Sequence, residues 1–391
     1  MKFAKRAEGM KPSAIREILK AMSDPTLISL AGGNPDPESF PVKEMAEISQ
    51  NLFLNNAAKA LQYGITEGYT PLREQMKERL EKKFNINKED NELIITTGGQ
   101  QGLDLTCRVL CNEGDIVVCE NPSFLGALNS FRSFGAELLG VPVDDDGMNM
   151  EELENVLKNT KNVKMIYTIP TFQNPMGVTM SLEKRKKMLA LAEKYDVIIL
   201  EDNPYGELRF KGDDIPTIKS LDTKGQVVYC SSFSKIFSPG IRVGYLCGKP
   251  EIIAKAVVAK QVSDVHTNLF FQMLISEFIE KYDLDGHINK IRGIYREKAA
   301  AMQTAIKKYL PENVKCTDPD GGLFLWCTLP DGRDSVEFAA ELMKKKVAVI
   351  PGNAFYVDTE KPCDGLRLNY SMPSFENIDK AIKAMGECIN G

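Results

Sequence analysis

The chain reads as an α/β protein: a three-layer α/β/α large domain on a mostly parallel sheet, followed by a small α/β domain at its C-terminal end. Three observations predict this. From residue 92, short β-branched apolar runs alternate with helical patterns in the manner of repeated βαβ units. Those runs are apolar throughout, as strands buried on both faces are. A long helical pattern from Leu284 to Tyr309 then leads into a second, shorter series of strands and helices, and 391 residues suit two domains sharing a cleft. The expected divisions are an N-terminal helix and loop over 1–41 packing on the small domain and substrate site, a large domain over 42–285 and a small domain over 286–391.

In chain order, an amphipathic helix is expected over Ser13 to Met22, with Arg16 on its outward face as a solvated charge. Ala31-Gly32-Gly33-Asn34-Pro35-Asp36-Pro37 cannot be regular structure and reads as an ordered loop passing close to something. Thr70 can cap a helix with Pro71 at its first position, running to about Phe84. Tyr63, ahead of that glycine-punctuated loop, reads as a packed core tyrosine. Leu93 to Thr96 is a strand, Thr97 to Gly102 a glycine-rich turn, and Leu103 to Leu110 a helix, so free N–H groups converge on a natural phosphate seat. The signal is weak alone. Asp115 to Glu120, Glu137 to Val141, Val163 to Tyr167, Val197 to Leu200 and Val227 to Cys230 follow as strands. Phe124 to Phe134, Met150 to Leu157, Leu182 to Tyr195 and Glu251 to Lys260 are the expected helices. The Leu284 to Tyr309 helix suits bridging the domains. Beyond it, strands are expected at Gly322 to Trp326, Val347 to Gly352 and Leu366 to Tyr370, and helices at Ser335 to Lys345 and Phe375 to Ile389.

Composition excludes several function classes. Hydrophobic content is 43%, charged content 26% and net charge −5, with no basic blocks, which argues against nucleic acid or an anionic membrane as partner. No apolar run approaches a membrane span, and the opening residues lack an apolar signal core, so a cytoplasmic protein is expected. The nine cysteines, an odd number scattered through apolar stretches, read as core thiols rather than disulfides or metal ligands. Two histidines leave zinc chemistry and Ser-His-Asp hydrolysis short of parts.

Ligands of such sheets gather beyond the carboxyl ends of the strands. Three exits are unusual: Gln173-Asn174-Pro175-Met176-Gly177, Glu201-Asp202-Asn203-Pro204-Tyr205, and Ser231 to Tyr245 around Lys235. Asp202 could close an Asx-turn, Asn174 form a turn and Tyr205 fill core, but together at one sheet edge they point to a site. A lysine among serines, with Arg242 as a second cation, reads either as a surface lysine in a serine-rich turn or as a Schiff-base lysine beside a phosphate cup. The latter is the pairing pyridoxal phosphate requires.

As an ordered set, Tyr-Gly-x-x-x-Gly, a glycine-glutamine turn, Gln-Asn-Pro-x-Gly, Asp-x-x-Tyr, Ser-x-Ser-Lys with Pro-Gly-x-Arg-x-Gly and a late arginine resemble the class I/II aminotransferases. These are fold type I pyridoxal phosphate enzymes, and the branch most resembled contains aminoadipate, kynurenine and aromatic aminotransferases. The resemblance spans essentially the whole chain. It implies that Lys235 joins the aldehyde of pyridoxal 5′-phosphate and shuttles a proton, with Asp202 at the pyridine nitrogen and Tyr205 and Asn174 at the ring hydroxyl. Gly99, Gln100, Ser232, Ser234 and Arg242 would hold the phosphate. Phe124 would stack on the ring where many relatives have tyrosine, and Gly99 stands where some have serine. Arg367 would grip the substrate α-carboxylate, with Asn174, Gly33 and Arg16 at the substrate. Tyr63 would reach the phosphate of a partner subunit in a homodimer, against its reading as core.

The activity implied is ping-pong exchange between an α-amino acid and a 2-oxo acid such as 2-oxoglutarate. Rival readings are elimination or decarboxylation on the same scaffold, and a non-catalytic effector domain of a transcription regulator. The last is disfavoured because no basic helix pair precedes the fold.

Overall fold

A computed structural model describes residue 24 and residues 26–390. Arg16 and the expected helix over 13–22 lie outside the described residues. The strands are β1 (Ile28–Ser29), β2 (Glu92–Thr96), β3 (Ile116–Asn121), β4 (Glu137–Asp144), β5 (Gly147–Met148), β6 (Val163–Thr168), β7 (Ile198–Asp202), β8 (Val227–Ser232) and β9 (Gly244–Gly248). They continue with β10 (Lys315–Cys316), β11 (Phe324–Thr328), β12 (Val347–Ala348), β13 (Ile350–Pro351) and β14 (Gly365–Asn369).

Strands β2 to β9 form an eight-stranded sheet in the order β2-β9-β8-β7-β6-β3-β4-β5. The run from β4 through β3, β6 and β7 to β8 is parallel, while β9 and β5 run antiparallel to their neighbours. Side chains of a strand alternate between faces, and here both faces are apolar. Val117, Met165, Leu200 and Val228 belong to one core cluster, whereas their neighbours Val118, Ile166, Ile199 and Val227 belong to another. Helix Gly98–Leu110 supplies Leu103 and Leu105 to the first cluster, and helices Met150–Asn159 and Leu182–Tyr195 supply Leu153 and Met188 to the second. Such two-sided burial makes β3, β7 and β8, within the sheet, near-continuous buried runs, whereas β4 near its edge is largely exposed.

A second sheet, β10-β11-β14-β13, is antiparallel throughout. Helix Leu284–Tyr309 links the two sheets. Asp283 caps it, accepting from the Gly286 N–H at 2.9 Å, and Leu284, Ile288, Ile291, Tyr295, Ala299 and Met302 bury one stripe at helical spacing. Near the large sheet, Arg292 and Arg296 donate to the carbonyls of Glu207 and Phe210. At the other end the helix meets helix Phe375–Asn390, where a Cβ on Gly386 would lie 2.3 Å from the Tyr309 carbonyl oxygen. No helix among the described residues is long and apolar enough to cross a membrane.

Several expectations need correcting. Cys316 and Cys327 form a disulfide, contrary to their reading as thiols, because the β10–β11 register sets them directly opposite one another. That pairing depends on which residues face each other across a sheet, and spacing along the chain does not contain it. The helix over Thr70–Phe84 has Tyr69 rather than Thr70 at its N-cap, so Pro71 is its second residue. Strand β9 (Gly244–Gly248) is a further element not expected from the sequence, and it begins within the Ser231 to Tyr245 segment. Tyr63 is not core: it is 80% exposed and meets the His266 ring edge-on.

Candidate active site

The carboxyl ends of β6, β7 and β8 open onto a cavity of about 290 Å³. All the predicted site residues line it except Tyr63, at the surface, and Arg16, outside the described residues. Asp202 is the last residue of β7, and Asn203 N–H donates to the Cys230 carbonyl at 2.8 Å, tying that exit to β8. Lys235 follows β8 in a turn closed by Phe237 N–H on the Phe233 carbonyl at 2.8 Å. Arg242 adopts a left-handed conformation (φ 52°) just before β9 and so points back to the same turn, with Nη1 donating to Ser234 Oγ at 3.4 Å and to the Pro239 carbonyl at 3.1 Å.

Helix Gly98–Leu110 begins at this edge, and no side chain caps it. Its first-turn N–H groups therefore remain available. Gly98 (φ +74°) has no room for a Cβ, which would stand 2.2 Å from Arg242 Nη2, and a Cβ on Gly244 would strike the Gly98–Gly99 peptide at under 3 Å. These two absences bring the helix start, Arg242 and the Ser232–Ser234 pair into one cup. Ser232 Oγ donates to Ser234 Oγ at 2.8 Å and accepts from Ser234 N–H at 3.1 Å.

The site's electrostatics follow from burial. The Lys235 amine is pushed down to about 8 by desolvation first, then by the cations Arg367 and Arg242. Its Nζ donates to the Gly33 carbonyl at 2.8 Å. Desolvation raises Asp202 to about 7, against the Tyr167 hydroxyl that donates to Oδ2 at 2.9 Å. Burial likewise pushes the Tyr205 hydroxyl up; it accepts from Asn174 Nδ2 at 3.4 Å.

Arg367, in β14, is 3% exposed. Its guanidinium lies 4.3 Å from the Phe324 ring centroid and 4.8 Å from that of Phe355. Nη1 donates to Asn174 Oδ1 at 3.0 Å and Nη2 to the Ala31 carbonyl at 2.6 Å, while Nε is buried without a partner. None of the ion pairs among the described residues includes Arg367 or Arg242. Desolvation lowers the Arg367 guanidinium to about 10.

The Gly32-Gly33 loop crosses this site as an ordered strap. Asn369 N–H donates to the Leu30 carbonyl at 2.8 Å and Ser371 Oγ to that of Asn34 at 2.8 Å. Sequence reasoning missed Tyr167, Glu120 and the two rings flanking Arg367. Glu120 is fully buried beneath the asparagine loop, accepting from Thr168 Oγ1 at 2.6 Å, Ile169 N–H at 3.1 Å and Gln173 Nε2 at 3.1 Å. Desolvation raises it to about 7. Its signal was available: a carboxylate closing an otherwise apolar strand.

The arrangement offers a depressed amine, a buried carboxyl, an anion cup and an unpaired guanidinium around one space. The donor set fits a phosphorylated pyridine aldehyde and its carboxylate-bearing substrate. Comparison with known proteins agrees. Residues 25–385 match the family described as aminotransferase class I and II. The chain is 44% identical to aromatic-amino-acid aminotransferase 1 of Thermococcus litoralis over 391 residues, covering 99% of this chain and 94% of that one. It superposes on the kynurenine aminotransferase of Pyrococcus horikoshii in complex with PMP at a TM-score of 0.96, with 44% identity over 99% and 96% of the two chains. The α-aminoadipate aminotransferase of Thermus thermophilus, complexed with N-(5′-phosphopyridoxyl)-L-leucine, superposes at 0.91, with 36% identity over 100% and 97%. The chain belongs to the class I and II aminotransferases, and its cofactor is pyridoxal 5′-phosphate.

Proposed function

We propose that this aminotransferase moves an amino group between an α-amino acid with a large side chain, aromatic or aminoadipate-like, and a 2-oxo acid such as 2-oxoglutarate. The observation that carries the reading is Arg367, a buried guanidinium with one N–H unpartnered and no carboxylate beside it. An uncompensated buried cation costs several kcal/mol, of order 3–5 where a partner has been removed, and a substrate carboxylate supplies the missing charge. The names of the similar aminotransferases support the large side chain.

Gly99 and Gln100 N–H groups, Ser232, Ser234 and Arg242 would hold the phosphate, and Phe124 would stack on the ring. Asp202 would face the pyridine nitrogen, a cation there keeping the carboxylate ionised. Tyr205 and Asn174 would hold the ring hydroxyl. Bound there, the cofactor supplies an aldehyde that condenses with amines and a ring that accepts the electron pair left when the substrate α-proton departs. With the cofactor bound, Lys235 would hold it at its aldehyde, and its Nζ would take up and return the α-proton. Arg367 and Gly33 orient the substrate, and the strap and the C-terminal segment exclude water. We place residues 42–285 in the large, cofactor-binding domain and 286–391 in the small one.

A homodimer is part of this reading. Leu54, Leu61, Tyr63 and Val262 are 69–80% exposed around the stacked Phe53 and Phe270 rings, an apolar patch suited to a second copy, which would bring Tyr63 to the partner's phosphate. Seven free thiols against one disulfide support a cytoplasmic location.

The test is spectroscopic and kinetic. Purified protein is expected to carry a visible absorption band that shifts when an aromatic amino acid or aminoadipate is added. Rates varied against both substrates should give parallel reciprocal plots, and Lys235→Ala should abolish turnover. Ammonia release without a 2-oxo acid acceptor would assign elimination instead, and a protein that takes up no cofactor would overturn the reading.

A further inference from the structure

A carboxylate stands between the two loops that carry Phe124 and Asn174. Glu120, the penultimate residue of β3, is 1% exposed, and so is Gln173. Glu120 Oε1 accepts from the hydroxyl of Thr168, the last residue of β6, at 2.6 Å, and Oε2 accepts from Ile169 N–H and Gln173 Nε2, both at 3.1 Å. All three donors are neutral. A carboxylate is expensive to bury, and what this one supplies is an acceptor that no apolar side chain could offer to the Gln173 amide.

Gln173 is the pivot of the asparagine loop. Its Nε2 also donates to the Pro122 carbonyl at 2.9 Å, two residues before Phe124, and its Oε1 accepts from Met176 N–H at 2.8 Å. Two acceptors on the nitrogen and a donor on the oxygen fix the orientation of the amide. The backbone of the same residue closes the loop, its N–H donating to the Val178 carbonyl at 2.8 Å and its carbonyl accepting from Gly177 N–H at 2.6 Å. Asn174, next in the chain and 3% exposed, is thereby presented to two partners. Its Oδ1 accepts from Arg367 Nη1 at 3.0 Å, and its Nδ2 donates to the Tyr205 hydroxyl at 3.4 Å.

We propose that Glu120 is a positioning residue for the reaction: by holding the Gln173 amide it fixes Asn174, which in turn sets the direction of the Arg367 guanidinium and the donor offered to the ring hydroxyl. This rests on the functional reading above, in which Arg367 takes the substrate carboxylate and Asn174 the ring hydroxyl. The phosphate cup of Gly99, Gln100, Ser232, Ser234 and Arg242 draws on none of these groups. Loss of Glu120 should therefore damage one end of the site and spare the other.

The full-length protein loaded with cofactor is titrated calorimetrically with 3-phenylpropanoate, an aromatic carboxylate with no amino group to react. The stripped protein is titrated with inorganic phosphate through its inhibition of cofactor uptake. Glu120→Ala is expected to weaken 3-phenylpropanoate binding by about tenfold, the worth of a hydrogen bond to a charged group, and to leave phosphate affinity unchanged. The pH midpoint of the visible band should rise, because the Asn174 amide no longer favours the ionised ring oxygen. Glu120→Gln should stay near wild type, its Oε1 accepting from Ile169 and Gln173 and its amide donating to Thr168 Oγ1. Gln173→Asn keeps a buried amide one methylene short of Glu120 and should lose as Glu120→Ala does. Added to Asn174→Ala, Glu120→Ala should cost little more, since both act through one side chain. Unchanged carboxylate affinity in Gln173→Asn or in a folded Glu120→Ala, a phosphate affinity that falls equally, a Glu120→Gln variant as weak as Glu120→Ala, or full additivity with Asn174→Ala overturns the proposal. Failure of the wild-type chain to bind cofactor or 3-phenylpropanoate would overturn the functional reading instead.

Discussion

Lys235 and Arg367 are each set by what surrounds them, and Arg367 also acts on Lys235. Burial removes water from the Lys235 amine, and two guanidinium groups further disfavour its protonated form, bringing it to about 8. The free amine is the form that adds to an aldehyde. Cofactor uptake by the stripped protein is therefore expected to accelerate as pH rises toward 8 and to level off above it, measured by stopped-flow absorbance. Arg367→Met removes the cation with the greater effect on the amine, so the midpoint should move to higher pH. A midpoint unmoved by that change would mean that desolvation alone sets the amine. Arg367 could be read in the sequence only as a late arginine in a strand. The receptor role proposed for it rests on the nearby Phe324 and Phe355 rings and on the lack of a carboxylate, none of which is local in sequence.

The element on which the proposed phosphate binding depends is the start of helix Gly98–Leu110. Its glycines have different physical reasons. Gly98 has a positive φ and would drive a Cβ into Arg242, whereas a Cβ at Gly99 would meet its nearest neighbour, Ser232 Cβ, at an ordinary 3.6 Å. Gly98→Ala should therefore displace Arg242 and strain the turn, at a cost of ~1–3 kcal/mol, lowering both cofactor affinity and thermal midpoint. Gly99→Ser should fold normally and hold the phosphate at least as tightly, its hydroxyl adding a donor. Calorimetric titration of both variants distinguishes the two positions, and equal damage from each would refute the difference. From sequence, both glycines belong to one turn motif, because what separates them is the approach of Arg242 to Gly98 and the room at Gly99, and Arg242 lies far along the chain.

Across the whole molecule, the site stands where the carboxyl ends of the parallel strands meet a strap from the N-terminal segment and the sheet holding β14. The exposed apolar patch extends this logic to a second subunit. On the homodimer proposed above, Val262→Glu combined with Leu61→Glu is expected to shift sedimentation from dimer to monomer and to weaken cofactor retention, since each site would lose the Tyr63 proposed to reach it from a second copy. An unaltered dimer would place the interface elsewhere.

The strands of the large sheet's parallel run, the bridging helix and the residues around Lys235 could all be anticipated, because apolar periodicity and turn chemistry are local properties that survive in one dimension; the order in which those strands pair could not. Nor could the Cys316–Cys327 bridge, the Tyr167 contact to Asp202 or the hold of Glu120 on Gln173. Each depends on sheet register or on strands that lie side by side though far apart in the chain, and only the folded molecule brings those partners within bonding distance.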